Sequence, residues 1–341
     1  MRTDEFEYQL PPGSIAQIPV EPRDSSRMMV LSRGSTEIAH RQFYNIEDYL
    51  NPGDALVLND TRVRPGRLHG KKETGGSVEI LLLRRLEERT WVVMVRGRGM
   101  HSGVRVELSG GKVFGTILKE DGQNRVMRFT RSILPMLCEM GEIAVPPYIR
   151  ERLVDEERYQ TVYGDKEGSA AAPTAGLHFT RNLLEKLRYK GVKIVTVTLH
   201  VGGDTFLPVR VERITDHPIH REWCCVNDKA VRTIKGVRRG GGRVVAVGTT
   251  TARVLETAAR ADSGEKISPV YGETDVFITP GYRFRLVDVL ITNFHLPRST
   301  LLMMVAAFVG ANGRKQILDA YKVAIMAGYR FYSFGDAMLI L

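Results

Sequence analysis

Short apolar runs recur along the chain, and polar residues follow most of them. Runs of this kind occupy positions 54–59, 192–199, 244–247 and 289–292. Their length and their valine, leucine and isoleucine content predict buried strands rather than helices. Segments with apolar residues three and four positions apart separate the later runs and predict helices. Strands that alternate with helices favour an α/β domain with a mixed or parallel sheet.

Helix starts are predicted from capping residues. Thr180 precedes a stretch in which Leu183, Leu184 and Leu187 share one face, and Asn227 precedes a similar apolar stretch. Such side chains accept hydrogen bonds from the unpaired N–H groups of a first turn, so we predict helices directly after both residues. Further helices are predicted at 132–140, after Gly248, at 299–310 and at 313–327.

The pattern changes between positions 62 and 130, where no helical period is present. Short runs rich in valine and leucine recur there at 76–83, 90–96, 103–108, 112–118 and 124–130. Regularly spaced short strands predict an all-β barrel or sandwich. Because the α/β pattern resumes afterwards, we predict a barrel-like domain (62–147) inserted into a discontinuous α/β catalytic domain (1–61 and 148–341).

Polar clusters follow four of the predicted strands. They lie at positions 59–62, 200–205, 248–251 and 293–295. The carboxyl ends of parallel strands meet at one edge of an open α/β sheet, which is where ligands bind in such folds. These clusters are therefore predicted to build one shared site.

Three segments have both a structural and a functional interpretation. The stretch 168–180 is rich in small residues and is either a tight loop before a helix or a ligand wall, in which Gly176 allows close approach. Asp60 and Arg62 either contact a ligand or pair with each other. The aromatic tail at 329–332 suits either base stacking or the protein core.

The formal net charge of +10 favours a polyanionic partner such as nucleic acid, although a merely basic solvated surface is the alternative. Three cysteines, two of them adjacent, do not make a disulfide framework. The longest apolar run, at 301–309, is too short to span a membrane. We therefore expect a cytoplasmic protein that makes no membrane contact.

Motifs for metal, nucleotide or acyl-enzyme chemistry are missing from the sequence. His217 and His220 with Glu222 have tolerable metal-ligand spacing, but no HExxH helix is present. There is also no GxSxG elbow, and the glycines at 240–242 precede a strand instead of following one. We therefore expect a site without a metal, built from histidines, carboxylates, arginines and aromatic rings.

Long motifs in a fixed order extend this interpretation. The chain resembles the S-adenosylmethionine:tRNA ribosyltransferase-isomerases of queuosine biosynthesis over essentially its whole length. The matching segments are LNDTRV at 58–63, ERYQTVY at 157–163, APTAGLHFT at 172–180, TLHVG at 198–202, GTT at 248–250, TNFHLP at 292–297 and YRFYSFGDAM at 329–338.

The resemblance implies an α/β fold with an inserted β-barrel and an unusual use of S-adenosylmethionine. This cosubstrate donates its ribosyl part to 7-aminomethyl-7-deazaguanine at the wobble position of a tRNA, which yields epoxyqueuosine-tRNA, adenine and methionine. The implied partners are S-adenosylmethionine and that tRNA, with no bound cofactor and no metal. We also expect a monomer.

Histidine suits the required proton transfers near neutral pH. We therefore predict that His178, His200 and His295 include the catalytic base and acid. We further predict that residues 248–251 and Arg253 hold the methionine carboxylate at a helix start. The residues predicted to bind substrate are Asp60, Arg62, Tyr159, Gln160, Thr174, Gly176, Gly202, Thr205, His220, Glu222, Gly248, Thr249, Thr250, Arg253, Asn293, Arg330 and Asp336.

The sequence departs from the family pattern at three positions. Asp204 stands where the second glycine of His-Val-Gly-x-Gly-Thr is usual, Thr251 replaces a serine, and Ile219 replaces a methionine. Two other functions are alternatives: an S-adenosylmethionine-dependent RNA methyltransferase and a non-catalytic RNA-binding protein. The missing glycine loop argues against the first, and the histidines at strand ends argue against the second.

Overall fold

A computed structural model describes residues 1–202, 209, 211–219, 221–260 and 267–341. These residues form two compact units. The main unit comprises Met1–Arg62, Pro147–Lys166 and Ala172–Leu341, and the barrel unit comprises Val63–Pro146 and Glu167–Ala171.

The strands and helices are numbered along the chain. The strands are β1 (Arg27–Leu31), β2 (Ile38–Gln42), β3 (Ala55–Asn59), β4 (Thr61–Val63), β5 (Arg67–Lys72), β6 (Ser77–Arg85), β7 (Thr90–Arg96), β8 (Arg105–Leu108), β9 (Val113–Asp121), β10 (Asn124–Phe129), β11 (Gly141–Glu142), β12 (Lys166–Ser169), β13 (Lys193–Leu199), β14 (Glu222–Val226), β15 (Val244–Val247), β16 (Val270–Thr274), β17 (Val289–Asn293) and β18 (Ala337–Ile340). The α-helices are α1 (Leu137–Met140), α2 (Arg181–Tyr189), α3 (Asp228–Arg239), α4 (Thr249–Arg260), α5 (Thr300–Val309) and α6 (Gly313–Met326). Short 3-10 helices lie at Thr3–Phe6, Pro12–Ser14, Arg23–Ser25, Phe43–Asp48, Leu134–Met136, Glu156–Tyr159, Thr174–His178 and Ile214–Asp216.

One mixed sheet organises the main unit. Its strand order is β16-β14-β13-β3-β15-β17-β18-β1-β2. The central strands β13, β3, β15 and β17 are parallel to one another, whereas β14, β16, β18 and β2 introduce antiparallel pairs. The parallel centre places four strand ends at the same edge of the sheet.

Helices cover both faces of the sheet centre because alternate residues of each strand point to opposite sides. Leu56 and Leu58 pack in one apolar cluster with the leucines of α2. Their neighbours Ala55 and Val57 are equally buried but lie outside that cluster, on the face against which α3 and α4 pack. This two-sided burial explains why the central strands are continuously apolar.

The predicted helix caps are confirmed. The Thr180 side chain accepts a hydrogen bond from Leu183 N at 3.1 Å, and Asn227 accepts one from Ala230 N at 2.9 Å. The segment 132–140 is less regular than a single helix, because Pro135 lies in a 3-10 turn that leads into the one turn of α1. None of the described helices is long and apolar enough to cross a membrane.

The barrel unit is a closed antiparallel barrel. Its strands follow the order β5-β6-β7-β10-β9-β8, and pairing of β5 with β8 closes the ring. The predicted runs correspond to β6–β10, whereas β5 was not predicted because Leu68 is its one fully buried side chain. Gly70 permits the closure, since a Cβ there would lie 2.6 Å from the Glu107 carbonyl oxygen of β8. The predicted fold class, an α/β domain with an inserted β-barrel, is confirmed.

Candidate active site

An open pocket with about 500 Å³ of empty space lies in the main unit, beside the carboxyl ends of β15 and β17. It brings together six predicted site residues, which are Thr174, Gly248, Thr249, Thr250, Asn293 and His295. Its other lining residues are Tyr148, Ala172, Pro173, Ala175, Val201, Thr292, Phe294, Leu296, Leu301, Tyr332 and Ser333.

Asn59 ties the strand ends together behind this pocket. Its Nδ2 donates to the Leu199 carbonyl at 3.1 Å and to the Thr250 hydroxyl at 3.3 Å. Its Oδ1 accepts from the backbone N–H of Leu199 at 2.9 Å and of Thr61 at 3.2 Å. These four hydrogen bonds satisfy the fully buried amide, as buried polar groups require. They also hold β3, β13 and the start of α4 in register.

The start of α4 forms one wall. Gly248 has φ +89°, a conformation that glycine adopts without strain, and it turns the chain from β15 into the helix. The first N–H groups of a helix have no intrahelical acceptor and carry partial positive charge. Because Gly248, Thr249 and Thr250 line the pocket, this wall suits an anionic group of a ligand.

Asn293 links the pocket to His178. The Asn293 Nδ2 donates to the Tyr332 carbonyl at 3.2 Å, which identifies it as the amide nitrogen, and it lies 3.2 Å from His178 Nε2. His178 Nε2 must therefore accept, and its Nδ1–H donates to the Ser26 hydroxyl at 2.7 Å. Burial, together with nearby Arg330 and Arg23, lowers the pKa of His178 to about 3, so the ring is neutral.

His178 lies behind Asn293 and outside the pocket lining. Its ring stacks on Phe43 with centroids 5.0 Å apart. The Thr174 hydroxyl donates to Asn293 Oδ1 at 3.1 Å, so the relay from the pocket runs through Thr174 and Asn293 to His178. Its predicted catalytic role stays a prediction, and the geometry suits a residue that orients Asn293.

His295 lines the pocket directly. Its Nε2 lies 2.8 Å from the Thr292 hydroxyl, and its Nδ1 has no hydrogen bond to any residue in the described ranges. Burial lowers the pKa of His295 to about 3. Tyr8 and Tyr321 hold its backbone, one donating to the carbonyl and the other accepting from the N–H at 3.0 Å. His295 is thus a neutral, rigidly placed ring at the ligand space.

His200 occupies a different position, at the end of β13. Its Nδ1 lies 2.8 Å from the Thr61 hydroxyl, and its ring stacks on Trp223 with centroids 5.1 Å apart. The neighbouring Asp60 is buried and accepts from the Thr198 hydroxyl at 2.6 Å. Burial raises the pKa of Asp60 above its usual range. Neither His200 nor Asp60 is part of the pocket lining.

Glu222 and Arg253 form a buried ion pair and do not line the pocket. Arg253 also donates to the carbonyls of Val276 at 2.9 Å and Thr274 at 3.2 Å. The other Glu222 oxygen accepts from Gly202 N at 2.7 Å. The pair therefore anchors the chain at Gly202, just after His200.

Three other predicted site residues, at positions 62, 159 and 160, contact other residues of the protein. Arg62 pairs with Glu157, so the alternative of an Asp60–Arg62 pair is wrong. Tyr159 and Gln160 are buried, and the Gln160 carbonyl accepts from Arg23 at 2.7 Å. Their predicted contacts with substrate stay predictions.

The aromatic tail at 329–332 lies mostly in the protein core, which is the second of its two predicted interpretations. Tyr329, Phe331 and Phe334 are buried in the main unit, which excludes them as a base-stacking surface. Asp336 accepts from the backbone N–H of Arg330 at 2.8 Å and of Arg27 at 3.0 Å, and its carboxylate lies 3.6 Å from the Arg330 guanidinium. Arg330 and Asp336 thus shape the turn that carries Tyr332 into the pocket lining.

Gly176 has a packing reason of its own. It lies inside the 3-10 helix Thr174–His178, and a Cβ there would overlap the Tyr163 hydroxyl and come within 2.9 Å of Thr161 Cγ2. A glycine is therefore required here because Tyr163 packs closely against it. A ligand is not the reason, since Gly176 does not line the pocket. Thr205 and His220, together with Asp204, lie outside the described residues.

Sequence reasoning missed Tyr148 on the aromatic side of the pocket, and it considered Tyr332 only as part of the tail at 329–332. Tyr148 and Tyr332 line the pocket with ring centroids 4.7 Å apart, and the Tyr148 hydroxyl lies 2.8 Å from that of Ser333. Pro146 and Pro147 indicate a stiff, extended segment before Tyr148, but they do not indicate that this segment leads to the pocket. Among the described residues, no group of three or more His, Cys, Asp or Glu side chains is arranged to hold a metal ion.

A ligand pocket beside parallel strand ends, with a helix start on one wall and neutral buried histidines beside it, is typical of an α/β enzyme with a small-molecule substrate. Residues 3–340 match the model of the queuosine biosynthesis protein family. The chain belongs to the queuosine biosynthesis protein family.

Its similarity to known proteins extends over full length. The chain is 53% identical to the S-adenosylmethionine:tRNA ribosyltransferase-isomerase of Moorella thermoacetica and 48% identical to that of Carboxydothermus hydrogenoformans, with 100% of each chain covered. It is also similar to the crystal structure of S-adenosylmethionine tRNA ribosyltransferase from Thermotoga maritima. That match has a TM-score of 0.58 and 41% identity, and it covers 99% of this chain and 100% of that one.

Proposed function

We propose that this protein is an S-adenosylmethionine:tRNA ribosyltransferase-isomerase of queuosine biosynthesis. It transfers and isomerises the ribosyl part of S-adenosylmethionine onto 7-aminomethyl-7-deazaguanine at the tRNA wobble position, and it releases adenine and methionine. The observation that carries the proposal is the pocket, which combines a helix start, two tyrosine rings and a buried neutral histidine. Full-length similarity to enzymes of that name supports it.

The start of α4 is proposed to bind the methionine carboxylate of S-adenosylmethionine. Thr249 and Thr250 offer the N–H groups of the first helical turn and their hydroxyls to an anion, whereas the Gly248 N–H donates to the Ile291 carbonyl at 2.7 Å. Arg253 was predicted to join them, but its guanidinium is engaged by Glu222 and two carbonyls. We therefore assign Arg253 to positioning, through Glu222 and the Gly202 N–H.

The aromatic side is proposed to face the sulfonium. Tyr148 and Tyr332 line the pocket, and a cation over an aromatic face is attracted by the ring quadrupole. A sulfonium acidifies the adjacent ribose C5′ hydrogen, so the same placement would activate the donor for loss of that proton. The acceptor amine attacks in its neutral form, and adenine leaves more readily when one ring nitrogen is protonated.

His295 is proposed as a proton carrier for these steps. With a pKa of about 3 it rests neutral and can accept a proton, but it holds that proton only weakly. The imidazolium formed would therefore be a strong acid and would pass the proton on to the leaving adenine. His200 is the second candidate, because it is less buried and is oriented by Thr61. His178 supports Asn293 from behind.

The test is product analysis with S-adenosylmethionine and tRNA carrying 7-aminomethyl-7-deazaguanine. Adenine and methionine are the expected products. S-adenosylhomocysteine would indicate a methyltransferase instead, and RNA binding without turnover would indicate a non-catalytic RNA-binding protein. Turnover that survives EDTA would agree with the metal-independent reaction predicted from the sequence.

Replacement of the three histidines tests their roles. A glutamine at the position of the base or acid should lower adenine release about 10²–10⁴-fold. His101→Gln in the barrel unit is the matched control, because His101 is exposed and lies outside the main unit. Near-wild-type rates for His178→Gln, His200→Gln and His295→Gln together would contradict the assignment.

A further inference from the structure

The short segment before β1 pairs with the aromatic tail beside the pocket. Ile15 forms a parallel β-bridge with Phe331, which precedes Tyr332 of the pocket lining. The Phe331 N–H donates to the Ser14 carbonyl at 2.8 Å, and the Ala16 N–H donates to the Phe331 carbonyl at 3.2 Å. These hydrogen bonds fix the segment to the turn that carries Tyr332.

Gln17 extends from the same segment to a second part of the pocket lining. Its Nε2 donates to the Tyr148 carbonyl at 3.0 Å, and its Oε1 accepts from the Arg150 N–H at 2.8 Å. Nε2 also donates to the Ile15 carbonyl at 3.3 Å, within the segment itself. The glutamine amide therefore pairs with the backbone at 148–150 as a neighbouring strand would.

The chain around Tyr148 needs such a partner because it has no regular structure of its own. Positions 143–155 are all described, and they contain no strand or helix. Backbone N–H and C=O groups that no strand or helix pairs must bond to side chains or to water. Gln17 meets this need at Tyr148 and links it to the segment that also holds Tyr332. One segment therefore holds both tyrosines of the pocket lining.

The position of these two rings matters for a cationic ligand. Their centroids lie 4.7 Å apart, and the Tyr148 hydroxyl lies 2.8 Å from that of Ser333. A ring attracts a cation that lies over its face and within about 6 Å of its centroid. A small shift of the Tyr148 backbone therefore weakens the attraction for a positive charge. It leaves the wall at 248–250 in place, since the hydrogen bonds of Gln17 go to other segments.

We propose that Gln17 is a positioning residue that sets the preference of the pocket for a cationic sulfur centre over a neutral one. It acts through Tyr148, whose ring it holds beside that of Tyr332. Gln17 itself does not line the pocket, so its effect on a ligand is indirect. The inference rests on the proposed function, because that function places the sulfonium of S-adenosylmethionine at these rings.

The test compares two ligands that differ at the sulfur. S-adenosylmethionine carries a positive charge there, whereas S-adenosylhomocysteine lacks the methyl group and the charge. Gln17→Ala should raise the Kd for S-adenosylmethionine about 2- to 30-fold, the size of a cation–π contact, and should leave the Kd for S-adenosylhomocysteine nearly unchanged. Calorimetric titration of the full chain measures both. The ratio of the two Kd values does not depend on the fraction of protein that is folded.

Two further variants separate position from packing. Gln17→Met keeps the length of the side chain without its hydrogen bonds, and it should lower the preference as Gln17→Ala does. Gln9→Ala is the matched control, because Gln9 is an exposed glutamine of the same unit, and it should leave both Kd values unchanged. Equal weakening of the two ligands in the Gln17 variants would overturn the inference, since that result indicates a structural role alone.

A double-mutant cycle tests whether Gln17 acts through Tyr148. Tyr148→Leu should lower the preference for the cation, and adding Gln17→Ala should lower it no further, because residues that act through one contact are not additive. Losses that add would overturn the inference. So would a wild-type protein that binds the two ligands equally.

The role of Gln17 and the proposed function fail in different ways. A wild-type enzyme that releases adenine and methionine, with a Kd ratio independent of Gln17, removes the positioning role alone. A wild-type protein whose Kd ratio depends on Gln17, but which releases no adenine, removes the proposed reaction and leaves the positioning role supported.

Discussion

Buried polar side chains are concentrated in the main unit. Among the residues that the structure describes, only Thr90 and Ser169 of the buried polar and charged residues belong to the barrel unit. The barrel interior is instead filled by apolar residues around Trp91 and Met127. Its charged residues are exposed or half-buried, and among them the half-buried Arg64 guanidinium lies 4.6 Å from the Trp91 ring centroid.

From this difference we interpret the barrel unit as a scaffold and the main unit as the unit that contains the site. A buried polar group costs about 1–3 kcal/mol unless a partner satisfies it, so a fold that needs only stability avoids such groups. The main unit buries Asn59, Asn293, His178 and His295 and holds them by hydrogen bonds to each other, to hydroxyl groups and to the backbone. We infer that chemistry is the reason for that concentration.

The largest expected contrast between the units lies in their ion pairs. Arg253→Ala leaves Glu222 buried without its charge partner and should lower the free energy of unfolding by about 3–5 kcal/mol. Glu139→Ala removes the exposed pair with Lys112 in the barrel unit and should cost less than about 1 kcal/mol. Denaturant unfolding measures both, and similar losses would break the comparison.

We also expect the pH dependence of stability to come from histidines of the main unit. His178 and His295 have a pKa of about 3 in the folded protein, against about 6.5 when unfolded. Between these values the unfolded chain binds more protons. The free energy of unfolding should therefore fall with decreasing pH below about 6.5, by up to about 1.4 kcal/mol per pH unit for each ring.

Urea unfolding at several pH values between 7 and 5 tests this slope. The double variant His178→Gln/His295→Gln should flatten it. His69→Gln and His101→Gln replace exposed rings of the barrel unit and should leave the slope unchanged. A slope that persists in the main-unit double variant would assign the effect to other groups.

The smallest expected difference between the units is the loss of stability when a glycine is replaced by alanine. Gly176→Ala forces a methyl group against the Tyr163 hydroxyl and should cost about 1–3 kcal/mol of stability. Adding Tyr163→Phe should restore part of the loss, because that buried hydroxyl has no hydrogen bond within the described residues. In the barrel unit, Gly66→Ala meets no atom closer than 3.6 Å and should be nearly neutral. Thermal unfolding compares the three proteins, and no rescue by Tyr163→Phe would argue against the overlap.

Local sequence signals predicted the elements whose cause is local. Thr180 and Asn227 cap their helices because a side-chain oxygen reaches an N–H three residues away. The central strands were recognisable because burial on both faces makes them continuously apolar. β5 was missed because its sequence alternates around the single buried Leu68, and its place depends on closure with β8.

The fold class, the helix caps and the family could be predicted from the sequence. These follow from periodicity, from hydrogen bonds between near neighbours and from motif order. The tertiary structure alone decided which polar residues face ligand space and which hold each other. Thr250, Asn293 and His295 line the pocket, whereas Glu222 and Arg253 pair with each other outside its lining. The physical reason is that a buried charge or amide takes its partner from residues distant in sequence, and only the packed sheet brings those residues within hydrogen-bonding distance.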